Sequence, residues 1–276
     1  QLQQTKERFK VGLTAITDVH EAQANYDNAV ATEIRSKSNV EISKEALREI
    51  TGKFYNNFNA LNTERFEASL PVPNDVQQWV TKAEQNNLEV KGKELVVEAA
   101  KFDIKRADVG HYPTLILSAL LSNNDAGKDI DSPALNSSSI GLTLNVPIYS
   151  GGGTTAAVKQ AQANYVFASE DREAAYRATV RSVRTSFADV SSLVSTLKAL
   201  NQSVVSAESA LQATQAGFDV GTRTIVDVLN STRNLYNAKR NLATSRYDYI
   251  LAMLTLRQAS GELNGKDLAA VNSGLK

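Results

Sequence analysis

VRSVRTSFADVSSLVSTL, residues 180–197, decides the architecture. Val180, Val183, Phe187, Val190, Val194 and Leu197 recur at alternating steps of three and four. That spacing is a coiled-coil seam. The segment lies inside a longer one, Thr154–Ala216, which holds neither glycine nor proline. As a single helix it would extend about 95 Å at about 1.5 Å per residue. A helix of that length cannot fold back into a compact domain, so the sequence predicts that it lies against other long helices.

A second uninterrupted stretch, Thr222–Ser260, carries Val228, Leu235, Leu242, Tyr249 and Leu256 at seven-residue intervals, again a seam. Between the two stretches stands Gly217-Phe218-Asp219-Val220-Gly221, whose glycines suit a helix end and a chain reversal. The pair is therefore expected to form a long helical hairpin with its tip near Val220. Further helices are expected over Ala15–Ile50 and, after the prolines at 71 and 73, over Val76–Val109.

The tip occurs twice. FKVGLTAITDV at residues 9–19 returns as FDVGTRTIVDV at 218–228, an offset of 209. The same offset relates Asn25 to Asn234, Asn28 to Asn237, Ala29 to Ala238, Leu47 to Leu256, Arg48 to Arg257 and Gly52 to Gly261. Such a shared register reads as an internal duplication. The second copy has a long helix before its tip and the first has eight residues before Phe9. On that comparison the chain is expected to lack the beginning of its first repeat.

The clearest β pattern lies between the repeats. Ile140, Leu142, Leu144, Val146 and Ile148 alternate with Gly141, Thr143, Asn145, Pro147 and Tyr149, the period of a strand with one apolar face. A weaker partner is expected over Tyr112–Leu121, with Leu115, Leu117, Ala119 and Leu121 on one face. Each is long enough to cross a bilayer when tilted. Tyr112 and Tyr149 are expected at strand ends, as interfacial aromatics, with Ser122–Ser139 as an exposed loop. A soluble hairpin with one face on a helix is the alternative. Coiled-coil flanks weigh against it, because they leave no globular core for the apolar face to cover.

Bulk properties exclude several classes. Thirty basic and thirty acidic residues cancel, without the basic surplus of a nucleic-acid binder. There is no cysteine, hence neither disulfide nor thiolate metal site. No run of about 18 apolar residues marks a transmembrane helix. His20 and His111 are the only histidines and have no metal-ligand spacing. Gly151-Gly152-Gly153 lacks the lysine of a phosphate loop and reads as a strand-to-helix turn. No enzyme, no cofactor and no metal are expected. Trp79 is expected to pack.

Taken together, Val220–Leu229, Leu235-Tyr236-Asn237-Ala238-Lys239, the first-repeat Val11–Val19 and the strand exit Pro147-Ile148-Tyr149-Ser150-Gly151-Gly152 resemble the TolC family of outer-membrane efflux proteins. The resemblance spans essentially the whole chain. It implies a mainly α fold: long antiparallel coiled-coil helices forming an α-barrel tunnel, plus two transmembrane β-strands contributing to a trimeric twelve-stranded β-barrel. It implies an outer-membrane protein of a Gram-negative bacterium that reaches into the periplasm. As the exit duct of a tripartite efflux pump or type I secretion system, it would export drugs, small toxic molecules and protein toxins. Its partners would be two further copies, a periplasmic adaptor (membrane fusion protein), an inner-membrane pump of RND or ABC type, and outer-membrane lipid. A soluble periplasmic scaffold or adaptor is the competing reading. The alternating strand and the duplication count against it.

On this family pattern 1–50 is the first-repeat hairpin end and tunnel helix, 51–85 an equatorial segment and 86–111 a tunnel helix. Residues 112–149 are the barrel strands, 150–261 the second long hairpin, and 262–276 a C-terminal equatorial segment. The resemblance assigns adaptor docking to Val11, Gly12 and Leu13 and to Val220, Gly221 and Thr222. Ile140, Leu142, Leu144, Val146 and Ile148 would face lipid. At the entrance a family Asp pairs with an Arg and a Tyr. Asp18 and Arg223 match, whereas Phe218 stands at the Tyr position and has no hydroxyl to donate. An exposed pair of that type contributes only about 0–1 kcal/mol, suitable for a gate that a partner opens. Two family Asp positions form acidic rings. Asp227 matches one and Asn230 stands at the other, which implies weaker cation attraction.

Overall fold

A computed structural model describes residues 1–124 and 135–276. Helix α1 spans Leu2–Lys10, α2 Ile16–Thr51, α3 Val76–Asn86, α4 Leu88–Asp108, α5 Gly153–Asp219, α6 Ile225–Ala259 and α7 Gly265–Ser273. Strands β1, Thr114–Asn124, and β2, Leu135–Asn145, pair antiparallel. The chain divides into two compact units, one of residues 1–83 with 182–276 and one of residues 84–181.

In the first unit the heptad stripe of α6 is the core. Val228, Leu235, Leu242, Tyr249 and Leu256 are all buried, as are Ile225 and Ala238. On α5 the buried positions within this unit are Val183, Ser186, Val190, Leu197 and Phe218, while Phe187 and Val194 are half-buried. The 3.5-residue period places one narrow stripe against the partner helices and leaves the rest of each surface polar or open.

An irregular segment and α7 close this unit at the end away from the tips. Leu61 and Leu275 form an antiparallel bridge, with Asn62 N–H donating to Gly274 O (3.0 Å) and Lys276 N–H to Ala60 O (2.8 Å). Trp79 is buried, its indole N–H donating to Pro73 O at 2.8 Å. Asp267, also buried, caps α7 by accepting from Asn264 N–H at 2.9 Å and pairs with Arg257.

The second unit holds α4, the β-hairpin and the start of α5. Its buried positions on α5 include Ala161, Ala168 and Ala175, seven apart. Three polar contacts join α5 to residues 84–94: Lys93 to Asp171 (2.7 Å), Arg172 to Glu94 (2.9 Å) and the Tyr176 hydroxyl donating to Glu84 (2.6 Å). The Asp171 carboxylate raises the Lys93 pKa, and donation to Glu84 raises that of Tyr176.

Three expectations need correction. The helix expected over Val76–Val109 is broken at Asn87, whose side chain accepts from Glu89 N–H (2.9 Å) and Val90 N–H (3.2 Å) and so starts a new helix. The strands are displaced towards the loop: residues 122–124 and 135–139 of the expected Ser122–Ser139 loop are paired strand, and 125–134 lie outside the described residues. Finally, Tyr112, Val146, Ile148 and Tyr149 lie beyond the strand ends at Thr114 and Asn145. The pairing of Thr114 with Asn145 closes the ladder before Pro147, which has no N–H to extend it.

Candidate functional site

The two tips are built by the same bonds. In the first, Gly12 N–H donates to Phe9 O (3.0 Å) and Leu13 N–H to Arg8 O (2.9 Å). In the second, Gly221 N–H donates to Phe218 O (3.1 Å) and Thr222 N–H to Gly217 O (2.8 Å). Gly12 and Gly221 have φ of 74° and 81°, the left-handed region where a Cβ is strained. The 209-residue offset is thus a repeat of geometry as well as of letters. Val11, Leu13 and Val220 project from the tips at 66–76% exposure, with Thr222 also exposed.

Asp18 and Asp227 occupy matching places in the first turns of α2 and α6. Asp18 accepts from the Thr14 hydroxyl and from Ala15 N–H. Asp227 accepts from Thr224 N–H and from the Thr224 hydroxyl, each at 3.0 Å. Those two bonds hold the Asp227 carboxyl below the usual range, with a smaller contribution from the Arg223 cation. Each aspartate therefore satisfies orphan amide groups at a helix start and complements its dipole.

Arg223 and Asn230 are exposed. Within one chain Arg223 makes no ion pair with Asp18, whose carboxylate is turned to Thr14 and Ala15. The Arg223 stem instead lies over Gly217, where a Cβ would come within 2.8 Å of its Cγ. A Cβ there would force the Arg223 stem to move.

Phe218 is buried at 6% exposure and packs with Ile225 and Val228. Its repeat counterpart Phe9 is 41% exposed. The guanidinium of Arg8 lies over the Phe218 ring at 4.4 Å from its centroid. Arg8 was not legible as a tip residue, because its counterpart by the offset is Gly217 and no pattern within the repeat singles it out. Hydrogen bonds from Lys6 to Gln23 (3.2 Å) and from Arg233 to Asn25 add polar contacts near the tips, the second joining α6 to α2.

The β-hairpin sorts its side chains by face. Register pairs Leu115 with Leu144, Leu117 with Leu142, Ala119 with Ile140 and Leu121 with Ser138. The alternate pairs, Thr114 with Asn145, Ile116 with Thr143, Ser118 with Gly141, Leu120 with Ser139 and Ser122 with Ser137, form a mainly polar face. Leu117, Leu121, Ile140 and Leu142 are 67–87% exposed. No helix among the described residues is long and apolar enough to cross a membrane. Among the same residues no group of three or more His, Asp or Glu side chains could hold a metal.

The chain is similar to several known proteins. Outer membrane protein TolC of Vibrio cholerae is 47% identical over 280 residues, covering all of this chain and 64% of its own length. The proteases secretion protein PrtF of Dickeya chrysanthemi is 27% identical over 255 residues, covering 91% of this chain and 55% of its own. The chain thus spans under two thirds of the length of these relatives. The crystal structure of the outer membrane protein VceC from Vibrio cholerae shares the fold with a TM-score of 0.71 at 20% identity, covering 94% of this chain and 62% of that one. The model of the family described as "Outer membrane efflux protein" matches residues 1–53 and 79–262, which take in both tips, both strands and the long helices between them, and the chain belongs to that family.

Proposed function

We propose that the protein is the outer-membrane exit duct of an efflux or secretion machine and catalyses no reaction. Membership of the outer membrane efflux family carries this reading, and the repeated tips on long helices and the two-faced hairpin agree with it. Three copies would close an α-helical tunnel and a β-barrel. The leucine-rich face of the hairpin, with Ile140, Leu142 and Leu144, would meet outer-membrane lipid. Val146 and Ile148, beyond the end of β2, are left out of that face.

In this reading the tips receive a periplasmic adaptor through Val11–Leu13 and Val220–Thr222, and an inner-membrane pump of RND or ABC type supplies the energy. Drugs, small toxic molecules and secreted proteins would be the cargo, the last in keeping with the name of the Dickeya relative. The entrance would be restrained by Asp18, Phe218 and Arg223, with Asp227 lining it and Asn230 leaving a second acidic ring unformed. Because Asp18 and Arg223 do not pair within one chain, their pairing would join neighbouring subunits.

Single-channel recording of the full-length protein in planar bilayers tests this. Small, cation-preferring openings that widen in Arg223→Ala are expected. Inserted protein without conductance would remove the channel reading and favour a periplasmic scaffold.

A further inference from the structure

We propose that Arg8 latches the two tips together, holding the end of α5 through the ring of Phe218 and the carboxylate of Asp219. The proposal rests on the reading of the tips as the gate and adds the contact that restrains it. It also assigns a role to the aromatic residue that lacks a hydroxyl.

Arg8 stands in the last turn of α1, and its own carbonyl oxygen accepts Leu13 N–H at 2.9 Å, so its backbone is part of the first tip. Its side chain crosses to the second tip. The guanidinium carbon lies 4.4 Å from the Phe218 centroid, and Nη1 is 3.9 Å from Asp219 Oδ1. Only a quarter of the side chain is exposed, and Nε is buried with no hydrogen-bond partner. A planar, weakly hydrated cation stripped of water on one edge gains more from an aromatic face than an exposed one does.

Phe218 and Asp219 are the last two residues of α5, and the Phe218 ring also packs on Ile225 and Val228 in the first turn of α6. Arg8 is thereby coupled, through one ring, to both helices of the second hairpin. The coupling has one direction. At the offset position the second repeat has Gly217, and Phe9 is left largely exposed. The contact uses the electron-rich face of the ring and needs no hydroxyl, so phenylalanine serves it as well as tyrosine.

Any opening that draws α1 away from α5 breaks the stack and bares the Phe218 ring. Full-length protein in planar bilayers tests this with Arg8→Met, which keeps an unbranched stem, with Phe218→Leu, with the double variant, and with Arg223→Ala beside them. Each of the first two is expected to raise open probability roughly three- to tenfold. The double variant should do no more than the larger single one. Phe218→Tyr should remain closed like the parent, and Arg8→Lys should fall between parent and Arg8→Met. Single effects that multiply in the double variant would overturn the latch. So would an Arg8→Met channel that stays closed while Arg223→Ala opens, an outcome that keeps the gate reading. Channels that conduct but open further in none of the variants would overturn both.

Discussion

The hydroxyl of Tyr249 accepts the amide proton of Ser69 at 3.0 Å and donates to the carbonyl oxygen of Ser69 at 2.8 Å. One side chain on the seam of α6 thus satisfies both backbone groups of a residue in the irregular segment 180 positions away. The ring adds an edge-on contact with Phe66, 5.8 Å between centroids.

Tyr249→Phe keeps the ring and strands both Ser69 groups in a partly buried place. Losing the two bonds should cost about 1–3 kcal/mol. Denaturant unfolding compared with the parent measures the loss. An unchanged midpoint would mean that water replaces the hydroxyl.

Asp267 joins two jobs, capping α7 through Asn264 N–H and pairing with Arg257 on α6. Asp267→Ala leaves Arg257 without its carboxylate and removes the return half of the α7 capping box, while the Asn264 side chain still accepts from Lys266 N–H. The cost should be about 2–4 kcal/mol. Limited proteolysis should then cut near Leu275 first, since the bridge to Leu61 depends on the position of α7.

Asp227 titrates below the ordinary carboxylate range because Thr224 donates two hydrogen bonds to its charged form. A depressed folded pKa gives stability that is fully present above the unfolded value, about 3.9, and is lost as pH falls through the folded one. Amide protection in the first turn of α6 should therefore be full above pH of about 4 and weaken progressively as pH falls below it. In Asp227→Asn that acid step should be missing, which hydrogen exchange across the pH series would read.

Leu142 and Thr143 are neighbours on opposite faces of β2. If the leucine face meets lipid, Leu142→Arg should impair barrel insertion by about 2–4 kcal/mol near the membrane midplane, while Thr143→Arg is tolerated. The yield of heat-resistant, membrane-inserted protein for each variant compares them. Equal tolerance would argue that this face is covered by protein.

The seam of α6 shows what was legible beforehand. Five residues spaced by seven in the sequence are five buried residues in the structure. Both reversals were also legible, because left-handed backbone at Gly12 and Gly221 demands glycine locally. The break before α4 has a local signal too, the helix-capping Asn87, but no glycine or proline accompanies it to mark a boundary. Strand limits were shifted because alternation continues through Pro147, whereas pairing stops where the partner strand stops.

The sequence by itself determined the long helices, the two matching tips and the two-faced strand pair. All of these follow from the conformational limits of single residues and from periods of 3.5 and two along one segment. Only the tertiary structure decided that Phe218 lies beneath Arg8 and that Tyr249 holds Ser69. Those contacts join residues separated by 210 and 180 positions. Nothing in a local period encodes such a meeting; it is settled by which buried polar group or ring each side chain reaches once the helices have packed.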